Sequence, residues 1–311
     1  MDIERYAAFL PPDRRATPTP PPRSTWMPWR GRRVHIARAG APNAAVRGIL
    51  VHGGGGYSGA LWPLAGLVLA DAQIGVQVLA PDLPLYGYTE EPAPGTVRYQ
   101  DWIDLLCDIV TAERARDDRP IILFGASMGG MLAYEVAHRT GRVDAVLATC
   151  LLDTTDPAVR RAVARHPFLG RIGAGALRAI SPVLGSVRVP IRWLADMSAM
   201  SNDAGLSRLC AADPRGGGAR VPLGFLSSWL NYRHTAPEHY RGAPVTLVAP
   251  AADRWTPPEL SLRFLQRISA QTRAVTLDNC GHYPIEEPGL SQLEAAGRQV
   301  LRAVLGQDAQ R

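Results

Sequence analysis

The chain contains no lysine: all 34 of its basic side chains among 311 residues are arginines, set against 28 acidic ones for a net charge of +6. Chemistry that needs a lysine amine is thereby excluded. That removes a pyridoxal-phosphate or other Schiff-base lysine, a serine–lysine dyad, and the phosphate-binding loop ending in Gly-Lys-Ser/Thr. Cysteine is also scarce. Cys107, Cys150, Cys210 and Cys280 lie tens of residues apart with no Cys-x-x-Cys pair, which argues against a zinc ribbon or a dense disulfide framework and for reduced, buried thiols. No apolar run approaches the ~20 residues of a membrane span, and the start Met1-Asp-Ile-Glu-Arg-Tyr lacks a basic region followed by an apolar stretch. A soluble cytoplasmic protein is expected. The seven histidines offer no His-x-x-x-His pair, so neither a metal nor an organic cofactor is expected, and a basic pI alone does not argue for nucleic acid.

What is present is an ordinary globular composition, 46 % apolar and 20 % charged, on a chain long enough to bury a sizeable core. Residues 1–30 are expected to form an N-terminal arm, because the stretch from Pro11 to Pro28 is too rich in proline for a helix or central strand. A hairpin turning at Gly31 follows. Short aliphatic runs then appear at Gly48 to Val51, Val76 to Ala80, Ile121 to Phe124, Val143 to Leu151, Val245 to Ala249 and Ala274 to Leu277, as expected of strands buried on both faces. Helical patterns alternate with them near Ala60 to Ala70, Tyr99 to Arg114, Gly129 to Arg139, Pro258 to Ile268 and Pro288 to Leu305. This βαβ rhythm predicts a doubly wound α/β core over 31–153 and 241–311. The rhythm breaks over 154–240, where helix-like pieces at Ala158 to Leu169, Ile172 to Ile180, Ile191 to Met200 and Leu223 to Leu230, separated by Gly and Pro, predict a helical cap inserted after the sixth strand.

The most informative segment is Ile121-Ile-Leu-Phe-Gly-Ala-Ser-Met-Gly-Gly, in which a buried strand runs into Gly125-Ala-Ser127-Met-Gly129 and then a helix. A serine on so tight a turn needs small neighbours and projects its hydroxyl above the sheet. As a nucleophile it also requires a base oriented by an acid. His282 follows the last strand in Asn279-Cys-Gly-His-Tyr-Pro and is the candidate base; Asp253, beyond the preceding strand, is the preferred acid, with Asp153 and Asp278 as competitors. Acyl transfer needs donors for an oxyanion, and the loop His52-Gly-Gly-Gly-Gly-Tyr offers Gly54 N–H to pair with Met128 N–H. Tyr57, Leu61 and Trp62 beside that loop, and Phe225, Trp229 and Tyr232 in the insertion, are candidates for an acyl pocket.

Together these motifs resemble the α/β-hydrolase superfamily from Arg32 to about Leu305: His52-Gly-Gly after the third strand, Pro81-Asp-Leu-Pro-Leu-Tyr-Gly-Tyr after the fourth, the serine elbow, Asp253 and Gly281-His282. The placement of the insertion and Leu209-Cys-Ala-Ala-Asp-Pro look most like the monoacylglycerol-lipase and lysophospholipase branch. The resemblance implies a serine hydrolase with Ser127 as nucleophile, His282 as base and then acid, and Asp253 holding the imidazole, and the expected substrate is a small-molecule carboxylic ester with a lipid-like or other apolar acyl group. A thioesterase, acyltransferase or C–C bond hydrolase is the alternative within the fold, and a non-catalytic ligand-binding homologue the alternative outside it. A competing pattern, Gly54-Gly-Gly56-Tyr-Ser-Gly59 after a strand with Asp82 ending the next, fits a dinucleotide-binding turn but leaves Ser127, Asp253 and His282 unused.

The charge is local. Residues 154–240 hold 11 arginines and 5 acids, a difference of +6 that equals the surplus of the whole chain. A solvated basic face accounts for that; the functional alternative is attraction of an anionic substrate, an anionic lipid surface or an acidic partner.

Overall fold

The computed structural model describes residues 2–15, 21–68, 75–165, 167–193 and 195–306. Among the described residues ten strands form, β1 (Arg23–Trp29), β2 (Arg32–Ala39), β3 (Val46–Val51), β4 (Val76–Pro81), β5 (Ile121–Gly125), β6 (Ala145–Ala148), β7 (Arg188–Pro190), β8 (Arg220–Pro222), β9 (Val245–Pro250) and β10 (Thr272–Leu277). Eight of them make one sheet in the order β1-β2-β4-β3-β5-β6-β9-β10. Only β1 and β2 run antiparallel to their neighbours; β3, β5 and β6 are buried at every position, which accounts for their largely apolar sequences, with Arg47 of β3 the exception, buried and paired with Asp117 at 3.0 Å.

The connections decide where a site can form. β3 steps to β4 in one direction, and β4 then crosses back over β3 to β5 in the other. Right-handed crossovers therefore place α3 (Ser58–Val68) on one face and α4 (Tyr99–Arg114) on the other. α5 (Met128–Thr140) packs with α4, while α11 (Gly289–Val304) packs with α3. The reversal opens a crevice at the carboxyl ends of β3 and β5, the position at which doubly wound sheets bind ligands.

The N-terminal segment departs from the expected arm. α1 (Ile3–Ala7) and α2 (Pro12–Arg15) precede β1, which is an edge strand despite Pro28 because an edge does not need every N–H. Arg30 and Gly31 turn the hairpin, both with positive φ. α1 is held by Tyr6, which is 2 % exposed and donates to Asp213 Oδ2 at 2.8 Å across 207 residues of sequence.

Between β6 and β9 the chain forms α6 (Pro157–Val163), α7 (Pro167–Leu184), α8 (Ala204–Ala212) and α9 (Leu223–Leu230), with α10 (Pro258–Leu265) following β9. The helical reading of Ala158 to Leu169 and Ile172 to Ile180 is redistributed: α7 runs through the second piece. Among its described residues, Ile191 to Met200 holds two 3₁₀ turns, Ile191–Trp193 and Met197–Ala199, and no α-helix. The small ribbon β7–β8, flanked by prolines, was not expected at all. The ends of the predicted helix at Ala60 to Ala70 and His166 fall outside the described residues. Among the described residues no helix is long and apolar enough to cross a membrane.

Candidate active site

Ser127 sits between β5 and α5 with φ 55° and ψ −126°, a conformation that costs an L-residue of order 1–3 kcal/mol and persists only where the surroundings impose it. Those surroundings are identifiable. Ala126 N donates to Val51 O at 2.9 Å, Gly129 N to Ala126 O at 2.8 Å, and Ser127 N to Thr149 Oγ1 at 2.9 Å. A Cβ at Gly129 would stand 2.0 Å from Val51 O, so no other residue fits against β3 there.

Three side chains arriving from the ends of three strands meet at this turn. His282 Nε2 lies 2.9 Å from Ser127 Oγ, and His282 Nδ1 lies 2.7 Å from Asp253 Oδ2. His282 and Asp253 are each 5 % exposed, which strengthens the hydrogen bonds between them. Asp253 Oδ1 accepts from Trp255 N and Thr256 N, both at 2.8 Å, while Oδ2 also accepts from Thr256 Oγ1 at 2.8 Å. Burial alone would raise the Asp253 pKa, but the neighbouring imidazole and the Thr256 donors outweigh it and hold the carboxyl below its ordinary value. Asp253 is therefore a carboxylate, and Nδ1 carries the proton it accepts.

The competing acids are committed elsewhere. Asp153 accepts from Thr155 N and Thr155 Oγ1, and Asp278 Oδ2 accepts from Gln292 Nε2 at 2.7 Å. Asp82 is fully buried; it accepts from Ser58 N at 2.6 Å and Tyr88 N at 2.8 Å and lies 2.8 Å from His35 Nδ1. The head of α3, where a dinucleotide phosphate would bind, thus already bonds this carboxylate. His52 accepts from Leu83 N at 2.9 Å, with Nδ1 2.8 Å from Gly53 O, and joins the loops after β3 and β4. Burial lowers its pKa, so it stays neutral.

Gly54, Met128 and Ser127 line one cavity of about 290 Å³ between the sheet and the insertion. Its walls are apolar: Leu177, Ile191, Val221, Phe225 and Trp229 among them, with Arg160 the one charged side chain of the lining among the described residues. Phe225 and Trp229 are thus brought to the serine. Tyr57 and Trp62 are not. Tyr57 is fully buried and donates to Asp213 Oδ2 at 2.9 Å, and Trp62, 2 % exposed, belongs to the core. Leu61 lines a separate recess of about 60 Å³ that reaches Ser127 and His282 from behind, and Tyr232 lines a polar cavity described below.

Several residues at the site were not singled out from sequence. Thr256 touches both Asp253 and His282, its Oγ1 3.2 Å from Nδ1; the signal was an Asp-x-x-Thr turn heading α10. Trp255 packs on the imidazole with ring centroids 4.8 Å apart. Tyr86 lines the cavity with a buried hydroxyl that meets no partner in hydrogen-bonding geometry, and burial raises its pKa, opposed only in part by the Gly55 backbone. Among the described residues, Cys150, Asp253 and His282 form the one group near enough to hold a metal, their ligand atoms lying within 4.8 Å. That donor set suits a metal poorly. The Asp253 to His282 bond already occupies two of its atoms, and burial, followed by the Asp253 charge, pushes the Cys150 thiol up to about 12.

Comparison with known proteins agrees with this architecture. Residues 49–290 match the alpha/beta hydrolase family. No curated protein sequence matches the chain significantly. Among solved structures, the monoacylglycerol lipase of Paleococcus ferrophilus is 21 % identical with a TM-score of 0.68, covering 88 % of this chain and 99 % of that one. A soluble variant of the Saccharomyces cerevisiae monoglyceride lipase, in complex with a substrate analog, is 14 % identical with a TM-score of 0.72, covering 94 % and 96 %. A thermophilic esterase from Thermogutta terrifontis is 18 % identical with a TM-score of 0.59, covering 91 % and 98 %.

Proposed function

The chain belongs to the alpha/beta hydrolase family, and on that premise we propose that it hydrolyses carboxylic esters of apolar acyl groups through an acyl-enzyme on Ser127. The observation that carries the reading is the unbroken sequence of contacts from Ser127 Oγ to His282 Nε2 at 2.9 Å and from Nδ1 to Asp253 Oδ2 at 2.7 Å, set at the wall of an apolar cavity.

Ser127 Oγ attacks the ester carbonyl while its proton passes to His282 Nε2. Asp253, remaining ionised, stabilises the imidazolium and fixes the tautomer that leaves Nε2 free to accept. The carbonyl oxygen becomes an oxyanion that accepts from Gly54 N–H and Met128 N–H, donors on a pre-built turn that need no reorganisation. The tetrahedral intermediate expels the alcohol, which takes the proton from Nε2. Water then attacks the acyl-enzyme by the same route in reverse, giving the carboxylic acid and restoring Ser127. The acyl chain occupies the cavity lined by Phe225 and Trp229, under an insertion that acts as its cap.

The same residues would open a thioester. Purified protein assayed on p-nitrophenyl esters from acetyl to dodecanoyl, with Ser127→Ala as blank, tests the reading. Hydrolysis that rises with chain length and vanishes in the variant is expected; a preference for acetyl would contradict an acyl chain lodged in this cavity.

A further inference from the structure

The apolar cavity at Ser127 has a charged boundary. Arg160 of α6 lines it and also lines a second, polar cavity of about 540 Å³, whose walls include neither Ser127 nor His282; Leu230 is the other residue common to both. The two cavities therefore adjoin at Arg160 and Leu230. Arg178, Arg233 and Arg267 join Arg160 around it, against the single acid Asp153. Of these, Arg267 is paired with Glu238 at 2.7 Å, and Asp153 is occupied by Thr155. The side chains of Arg160, Arg178 and Arg233 have neither an ion pair nor a hydrogen bond among the described residues. His234 lines the same space with a buried Nδ1 that has no partner, and burial brings its pKa down to about 4, so it is a neutral polar group there.

Arg160 is half-buried on the wall of the apolar cavity, whereas Arg178 and Arg233 are exposed around the polar one; a half-buried guanidinium without a counter-ion is stabilised when an anion completes it. We infer that the acyl group carries an anionic terminus, carboxylate or phosphate, at the end remote from the ester, bound by Arg160 and by Arg178 and Arg233 beyond it. This deepens and rests on the esterase reading: the substrate class is esters of acyl chains that are apolar along their length and charged at their far end. The local arginine surplus then serves the substrate and not a nucleic acid. Guanidinium suits either anion, because its planar fork matches carboxylate and phosphate alike.

The test compares full-length protein on three p-nitrophenyl esters of equal chain length: the decanoate, the ester of decanedioic acid with its second carboxyl free, and the ester of 10-phosphonooxydecanoic acid. At low salt, kcat/KM is expected to be at least tenfold higher for one of the anionic esters, and which one identifies the anion. The ratio to the decanoate should fall toward one in Arg160→Met, and in the wild type as 1 M salt shortens the screening length from ~10 Å to ~3 Å. Equal rates on charged and neutral esters, or a preference that survives both the substitution and the salt, would overturn the proposal. Binding is read separately in Ser127→Ala, where decanedioate should raise Tm more than decanoate at the same concentration. Stabilisation there without turnover in the wild type would sink the esterase reading and leave the anion site standing; turnover of decanoate with no advantage for decanedioate would do the opposite.

Discussion

Replacing Asp253 by asparagine changes one atom type and no volume, and the surroundings determine which way the amide turns. Oδ1 faces two backbone donors, Trp255 N and Thr256 N, each at 2.8 Å. Placing the NH₂ there would leave both buried donors unsatisfied, at about 1–3 kcal/mol each, or roughly 2–6 kcal/mol together. Since ~1.4 kcal/mol is tenfold, even the lower figure favours the opposite orientation by about 30-fold. The NH₂ then occupies the Oδ2 position, 2.7 Å from His282 Nδ1, and donates to it. The imidazole proton moves to Nε2, which now donates to Ser127 Oγ and cannot accept from it. Loss of the productive tautomer costs about 10⁴-fold in kcat in enzymes with this arrangement, or about 5 kcal/mol of barrier. The assay is kcat/KM on a p-nitrophenyl ester, with far-UV circular dichroism and Tm to establish folding. Asp278→Asn, which removes only a surface bond to Gln292, is the control and should keep the wild-type rate. A folded Asp253→Asn protein losing less than tenfold would refute the argument.

Gly53→Ala would bring a Cβ to 2.9 Å from Met128 N and 3.0 Å from Ala126 O, both backbone atoms of the elbow; a loss of about 1–3 kcal/mol in denaturant unfolding and a clear drop in kcat are expected, and an unchanged enzyme would count against the elbow packing. Tyr6→Phe removes a hydrogen bond to the buried Asp213 carboxylate and should cost about 1.5–3 kcal/mol by chemical denaturation; a change under 0.5 kcal/mol would show that the N-terminal helix is not anchored this way. The pH dependence follows from the direction of the Asp253 shift. Its folded pKa lies below the ordinary value of 3.8, so the carboxylate's contribution to stability is complete above that value and is lost as pH falls through the folded pKa. The Tm advantage of wild type over Asp253→Asn should therefore shrink as pH falls below about 3.8. A wild-type advantage that grew as pH fell through that range would contradict a depressed Asp253 pKa.

The parts of the fold that were legible from sequence are those whose constraints are local. β3, β5 and β6 are buried on both faces, so their sequences are largely apolar without alternation, and the turn at Ser127 demands glycine where Gly129 meets Val51 O. The insertion was harder to read because its elements are held by what they pack against. Ile191 to Met200 has helical spacing, yet it lies against the core as two short turns. α1 was hidden for the same reason: nothing near Tyr6 in sequence announces Asp213. The choice between Asp253 and Asp153 turned on which strand end approaches His282, a property of sheet order that no spacing reveals. Tyr57 and Trp62 were drawn toward the pocket by proximity in sequence to the glycine loop, but α3 carries Trp62 into the core and Asp213 claims Tyr57.

The central claim is that Ser127 is a nucleophile activated by His282, and covalent labelling tests it without knowledge of the substrate. Intact-mass spectrometry after incubation with a fluorophosphonate should show one adduct per chain, mapped to Ser127, slowed by at least a thousandfold in Asp253→Asn and absent in Ser127→Ala. A folded wild-type protein that takes up no label, or takes it up on another residue, would contradict the account.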